Sequence, residues 1–137
     1  MKIKVVGYWL VTIPFALLMT VSGLSYFAMG EMDVLGYPQY FWYILGTWKV
    51  LGAVVVLMPG VALIKEWAYA GFLFTLTGAA ASHAFFGDGV ETIIPPLVVL
   101  TLMVASYLLR PASRRLTDIP LLIPSSQDSA VRLEATS

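Results

Sequence analysis

Two ionisable side chains interrupt otherwise apolar stretches, and any chemistry is to be sought at them. Lys49 sits inside LGTWKVLGAVVVLMPG (residues 45–60), and His83 ends the small-residue run GAAASH (residues 78–83). Ser82 adjoins His83, Asp88 and Glu91 follow it, and an earlier apolar stretch carries Ser22 and Tyr26. Lys49, His83 and Tyr26 are of types that can hydrogen-bond a carbonyl-bearing headgroup, and a lysine in an apolar segment can also serve as a substrate or proton site. The structural alternative is a strut, in which Lys49 snorkels toward a surface and pairs with Asp88 or Glu91. At the level of sequence both readings stay open. His83 alone reads more simply as an interfacial residue. No P-loop, dinucleotide fingerprint or metal-ligand cluster is present, and Gly87-Asp88-Gly89 reads as a turn rather than a phosphate cradle.

The elements that must position these residues follow from composition. The chain has 137 residues, 59% of them hydrophobic and only 12% charged, with a mean hydropathy of +0.85. Soluble domains carry about 25% charged residues, so in water this chain would expose large apolar patches; a bilayer is its natural solvent. Eight basic residues balance eight acidic ones, which gives no electrostatic footprint for nucleic acid. The absence of cysteine excludes disulfides, thiolate metal sites, iron–sulfur clusters and cysteine nucleophiles within the chain, and a single histidine argues against a self-contained haem or zinc site. No covalent or metal cofactor is expected.

A membrane-spanning helix needs about 20 predominantly apolar residues, and four windows fit: 5–29, 40–58, 67–86 and 90–109. GEMDVLGYPQ (30–39), PGVALIKE (59–66) and GDG (87–89) separate them. Short connections imply antiparallel neighbours. The expected fold is all-α: an integral membrane four-helix antiparallel bundle over residues 1–111, followed by a flexible tail, 112–137. Pro14 falls inside the first helix as a possible kink, and Pro95 and Pro96 fall near the start of the fourth, where proline costs least. The segment after MKIK is longer than a typical signal-peptide core and reads as an uncleaved first helix.

Lys2, Lys4, Lys65, Arg110, Arg114 and Arg115 all fall on one side of a four-helix zigzag, whereas Glu31, Asp33, Asp88 and Glu91 fall on the other. Basic residues in short loops mark the cytoplasmic side, so both termini are expected there, in a multi-pass protein of the bacterial cytoplasmic membrane. Lys65, Glu66 and Arg110 then sit at the inner interface in structural roles. Lys49 follows Tyr40 by nine residues, or about 14 Å along a helix, which is near the centre of a hydrocarbon core about 30 Å thick. Side chains lean toward a helix N-terminus, so the ammonium should reach outward. Trp42, Leu45, Gly46, Gly52 and Ala53 share its side of the helix, and it should approach residues 79–83 of the third helix. The expected pocket comprises Lys49, His83, Ser82, Ser22, Tyr26, Asp88 and Glu91. The tryptophans, Trp42 included, read as belt or packing residues.

The stretches YP (37–38), LGTWKVLG (45–52), KEWAYAG (65–71), GAAASH (78–83) and LRP (109–111) resemble the DoxX-like family of small membrane proteins, over about residues 10 to 111. The resemblance implies a four-helix membrane bundle. By analogy with the wider DoxX group it also implies an accessory subunit beside a redox partner in a quinone-linked membrane system, with Lys49, Glu66 and His83 as the residues carried over by motif. Two other classes stay open: a small-molecule or proton-coupled transporter working as a homo-oligomer, and an assembly or scaffold protein without catalysis.

Overall fold

The computed structural model describes residues 2–29 and 35–116. Among these the chain is all-helical: α1 (Lys2–Ala28), α2 (Gln39–Leu57), α3 (Ala62–Phe86) and α4 (Val90–Leu109), with a short 3-10 turn at Ala112–Arg114. Each helix packs on the next along the chain, and α4 closes the ring against α1. Pairings run early against late residues. Tyr8 reaches Val56, Thr12 reaches Ser106, and Glu66 reaches Arg110, so neighbouring helices are antiparallel. Glu31, Asp33 and the tail beyond residue 116 lie outside the described residues.

Two helix starts differ from the sequence expectation by more than one residue. α1 starts at Lys2, because MKIK carries no breaker and continues the helix. α3 starts at Ala62 rather than at residue 67. Pro59 and Gly60 end α2, Val61 takes a left-handed conformation (φ 43°), and the helix-compatible ALIKE follows at once. Lys65 and Glu66 therefore lie in the first turns of α3 rather than in a loop. α4 matches the expected 90–109, so Pro95 and Pro96 are its sixth and seventh residues. They lie past the first turn, where each removes an i→i−4 bond.

By length and apolarity alone, three of the helices, α1, α2 and α4, qualify as membrane spans. α3 is long enough at 25 residues. Its average is lowered by Lys65 and Glu66 at one end, Ser82 and His83 at the other, and Gly71, Thr75, Thr77 and Gly78 between. The exposed faces are apolar all round, with Leu10, Leu17, Trp48, Trp67, Phe74 and Leu108 more than half exposed. The hydroxyls of Thr20, Thr47, Thr77 and Thr101 donate to the carbonyl four residues back, at 2.6–3.0 Å. A surface facing lipid must satisfy its polar groups internally in this way.

The core joins all four helices through Phe15, Met19, Val56, Phe72, Leu76 and Met103. Phe15 meets Phe72 edge-on at 5.1 Å. α1 and α2 cross with their backbones close together at Gly23 and Gly46. A Cβ on Gly23 would lie 2.8 Å from the Gly46 carbonyl oxygen, and one on Gly46 would lie 2.6 Å from that of Gly23. Gly71 on α3 has open space instead. Gly46→Ala should therefore lower stability by about 1–3 kcal/mol through overpacking, whereas Gly71→Ala should be neutral or slightly stabilising. Thermal unfolding in detergent checks this; equal effects at the two positions would refute the close crossing.

Candidate functional site: a lysine beneath an aromatic cleft

The glycine crossing determines what Lys49 can touch. Gly23 lies against Lys49, and Ser22 and Tyr26 flank it on the same side of α1. The Lys49 ammonium donates to Ser22 Oγ at 2.9 Å and to the Tyr26 hydroxyl at 2.8 Å. It also stands 4.5 Å from the centre of the Tyr26 ring. Lys49 is 7% exposed and makes no ion pair among the described residues. The expected approach to residues 79–83 is thus replaced by bonds to α1, the closest neighbour of α2. A buried lysine costs about 2.5–3.5 kcal/mol on insertion scales. Two hydrogen bonds from a charged donor, about 1.5–3 kcal/mol each, with the ring contact, are enough to offset that.

The residues expected to form one pocket divide into three groups. Lys49, Ser22 and Tyr26 form the first. His83 Nδ1 and Asp88 Oδ2 lie 2.5 Å apart at the end of α3, and there Asp88 holds the imidazole rather than the lysine. Ser82 and Tyr37 share a hydroxyl–hydroxyl bond of 3.2 Å. A cleft of about 340 Å³ along the α2–α3 seam connects the groups: Lys49, Tyr26, Ser82 and His83 line it together with Tyr37 and Trp42. Ser22 acts on this cleft through Lys49, and Asp88 through His83. Glu91 is exposed and outside the lining, so the pairing of Lys49 with Asp88 or Glu91 does not occur in this structure.

The residue that sequence reasoning underrated is Trp42. It is 6% exposed, it lines the cleft, and its indole N–H has no hydrogen-bond partner among the described residues. Its ring meets those of Tyr26 at 5.2 Å, Tyr37 at 5.9 Å and Phe41 at 5.7 Å. Its spacing already placed it on the Lys49 side of α2, since seven residues is two helical turns, but its type read as belt or packing. A second cleft of about 340 Å³ continues along the seam toward the other end, walled by Trp48, Gly52, Val55, Ile64, Trp67 and Phe72. Leu45, Lys49 and Thr75 border both clefts. The arrangement can take a flat, acceptor-bearing head against donors and aromatic rings, with an apolar tail in the second cleft.

The residues at the basic end of the helices form their own network. Arg110 Nη2 donates to Glu66 Oε1 at 2.7 Å, and the Tyr107 hydroxyl donates to Glu66 Oε2 at 3.0 Å. The Arg110 guanidinium lies over the rings of Tyr107 (4.2 Å) and Tyr69 (4.9 Å). Behind it, Tyr69, Ser106 and Thr12 share buried hydroxyl contacts at 2.8 and 2.6 Å. Lys65 donates to the carbonyls of Met58 and Gly60, and Arg114 to those of Leu57 (3.2 Å) and Met58 (3.3 Å). These cations sit where the α2 macrodipole ends negative.

Glu66→Ala would leave the Arg110 charge buried and unpaired, an arrangement that costs about 3–5 kcal/mol. Arg110→Leu combined with Glu66→Ala should lose less than the two single changes added together, and unfolding measurements on the three variants check this. Additive losses would mean that the pair is uncoupled.

A model of the DoxX-like family matches residues 10–106 of the chain, from the first turns of α1 to Ser106 of α4. The search of curated proteins and the search of solved structures each found no match.

Proposed function

The chain belongs to the DoxX-like family, and from that premise we propose that it is a membrane accessory subunit that binds a quinone-like amphiphile in the α2–α3 cleft and serves a redox partner subunit. The observation that carries this reading is the buried indole N–H of Trp42, without a partner among the described residues, in a cleft that Lys49 also lines. A buried donor without an acceptor is costly, and a ligand carbonyl would supply the acceptor. The other polar groups of the cleft agree with this. Lys49 donates, the hydroxyls of Tyr26, Tyr37 and Ser82 can donate or accept, and Tyr37, Phe41 and Trp42 offer ring faces and edges for stacking. The second cleft has the apolar walls that a hydrocarbon tail needs. When bound, a quinone supplies two-electron, two-proton chemistry. The chain's own residues bind and orient the headgroup, and His83, held by Asp88 at 2.5 Å, can hold a proton at the cleft mouth. The electron-transfer centre belongs to the partner, since this chain has no cysteine and one histidine.

The proposal includes the placement in the membrane. α3 lies antiparallel between α2 and α4 and crosses with them, which leaves both termini on one side. Lys65, Arg110, Arg114 and Arg115 gather at one end, to which the start of α1 with Lys2 and Lys4 also comes. Asp88 and Glu91 lie at the other. The basic end is cytoplasmic by the positive-inside rule, in a bacterial inner membrane.

Extraction and mass spectrometry of lipids that remain with the gently purified protein test the ligand. Bound quinone is expected with the wild type, reduced about 10- to 100-fold in Lys49→Met, for loss of one charge-assisted contact. Trp42→Phe, which keeps an aromatic ring but removes the N–H together with part of the indole's area, should bind several-fold less. No quinone on the wild type, or undiminished quinone on both variants, would overturn the reading. Lys49→Met that lowers the unfolding temperature while ligand content stays intact would make Lys49 a strut.

A further inference from the structure

The inner end of the α3–α4 seam has features of a second binding site, separate from the Lys49 cleft. Arg110 is 4% exposed. Its Nη2 is held by Glu66 and its Nε by the Tyr107 carbonyl, but its Nη1 is buried and has no partner among the described residues. Arg110 lines a cleft of about 220 Å³ with Arg115, Glu66 and Tyr107. Carbonyls tether Arg115 there: its Nε donates to Arg110 at 2.8 Å and its Nη2 to Leu108 at 2.9 Å. Glu66 and Tyr107 also border a second, apolar slot of about 250 Å³ that runs up the seam past Leu73, Met103 and Val104. A cationic mouth therefore opens into an apolar slot between two helices, a shape complementary to an amphiphile with an anionic head.

We propose that this is a binding site for an anionic membrane lipid, with its phosphodiester headgroup taken by Arg110 Nη1 and Arg115 and one acyl chain lying in the slot. Arginine is well matched to phosphate oxygens. Basic pockets between helices on the cytoplasmic side bind such headgroups, and this inference rests on the proposed orientation of the basic end. Lys65 and Arg114 add positive charge nearby, so Glu66 does not reverse the sign of the site. The apolar slot favours a lipid over a free phosphate, because a soluble anion would leave the slot unused.

Native mass spectrometry of the full chain, delipidated and titrated with phosphatidylglycerol, phosphatidylcholine or inorganic phosphate, tests the site. Phosphatidylglycerol should bind several-fold tighter than phosphatidylcholine. Arg115→Gln, an exposed change expected to fold, should cut that preference about fivefold. Ala70→Phe, which projects into the slot, should weaken both lipids alike. Inorganic phosphate should not displace the lipid, and Lys49→Met should keep the preference, which separates this site from the quinone reading. Equal binding of the two lipids, a preference unchanged by Arg115→Gln, displacement by inorganic phosphate, or loss of the preference in Lys49→Met would each overturn it.

Discussion

The constraint on which the rest depends is the hydrogen bonding of one ammonium group in the apolar middle of α2. Lys49 is stabilised there by Ser22 and Tyr26 of α1 at 2.9 and 2.8 Å, and those distances need backbones as close as Gly23 and Gly46 allow. Small residues at a helix crossing therefore do two things at once. They remove the side chains that would hold the helices apart, and they bring polar partners to a charge that lipid could not solvate. Because Lys49 bonds to α1, the neighbouring α2–α3 seam is left lined by aromatic rings and a small-residue face. The clefts lie along that seam.

The two ends of the structure differ in their electrostatics. At the basic end, Lys65 donates to the carbonyls of Met58 and Gly60 just past α2, Arg114 to those of Leu57 and Met58, and Arg115 to carbonyls near the end of α4. Helix C-termini present unsatisfied carbonyls and partial negative charge, so cations there contribute to stability. At the acidic end the His83–Asp88 pair closes α3, and Gly87 provides the left-handed turn into α4 (φ 86°). Charge thus serves each helix terminus locally, and the sum of those local choices is the asymmetry that the positive-inside rule reads.

Much of the fold was legible because its signals are long and local. Apolar runs of about 20 residues with Pro-Gly or Gly-Asp-Gly breaks gave α4 to the residue and α2 to within one. α3 was misjudged at its start, because Lys65 and Glu66 looked like loop charges. Only the tertiary structure shows Lys65 buried against carbonyls and Glu66 buried in part by Arg110. In the site, helical spacing correctly grouped Gly46, Lys49 and Ala53 on a buried face. It could not decide between α1 and α3 as the partner of Lys49, since that depends on which neighbour approaches most closely. Trp42 was underrated for a related reason: its type suits an interfacial belt, and only burial of its N–H with no acceptor among the described residues distinguishes it.

The most direct test of a ligand held at Lys49 uses Trp42 as its own reporter. With Trp9, Trp48 and Trp67 replaced by Phe, the fluorescence of the full chain in liposomes comes from Trp42 alone. A short-chain benzoquinone titrated into those liposomes should quench it saturably, and Lys49→Met should shift the curve to much higher concentration. Linear, unsaturable quenching that is the same with and without Lys49 would contradict a binding site in the cleft.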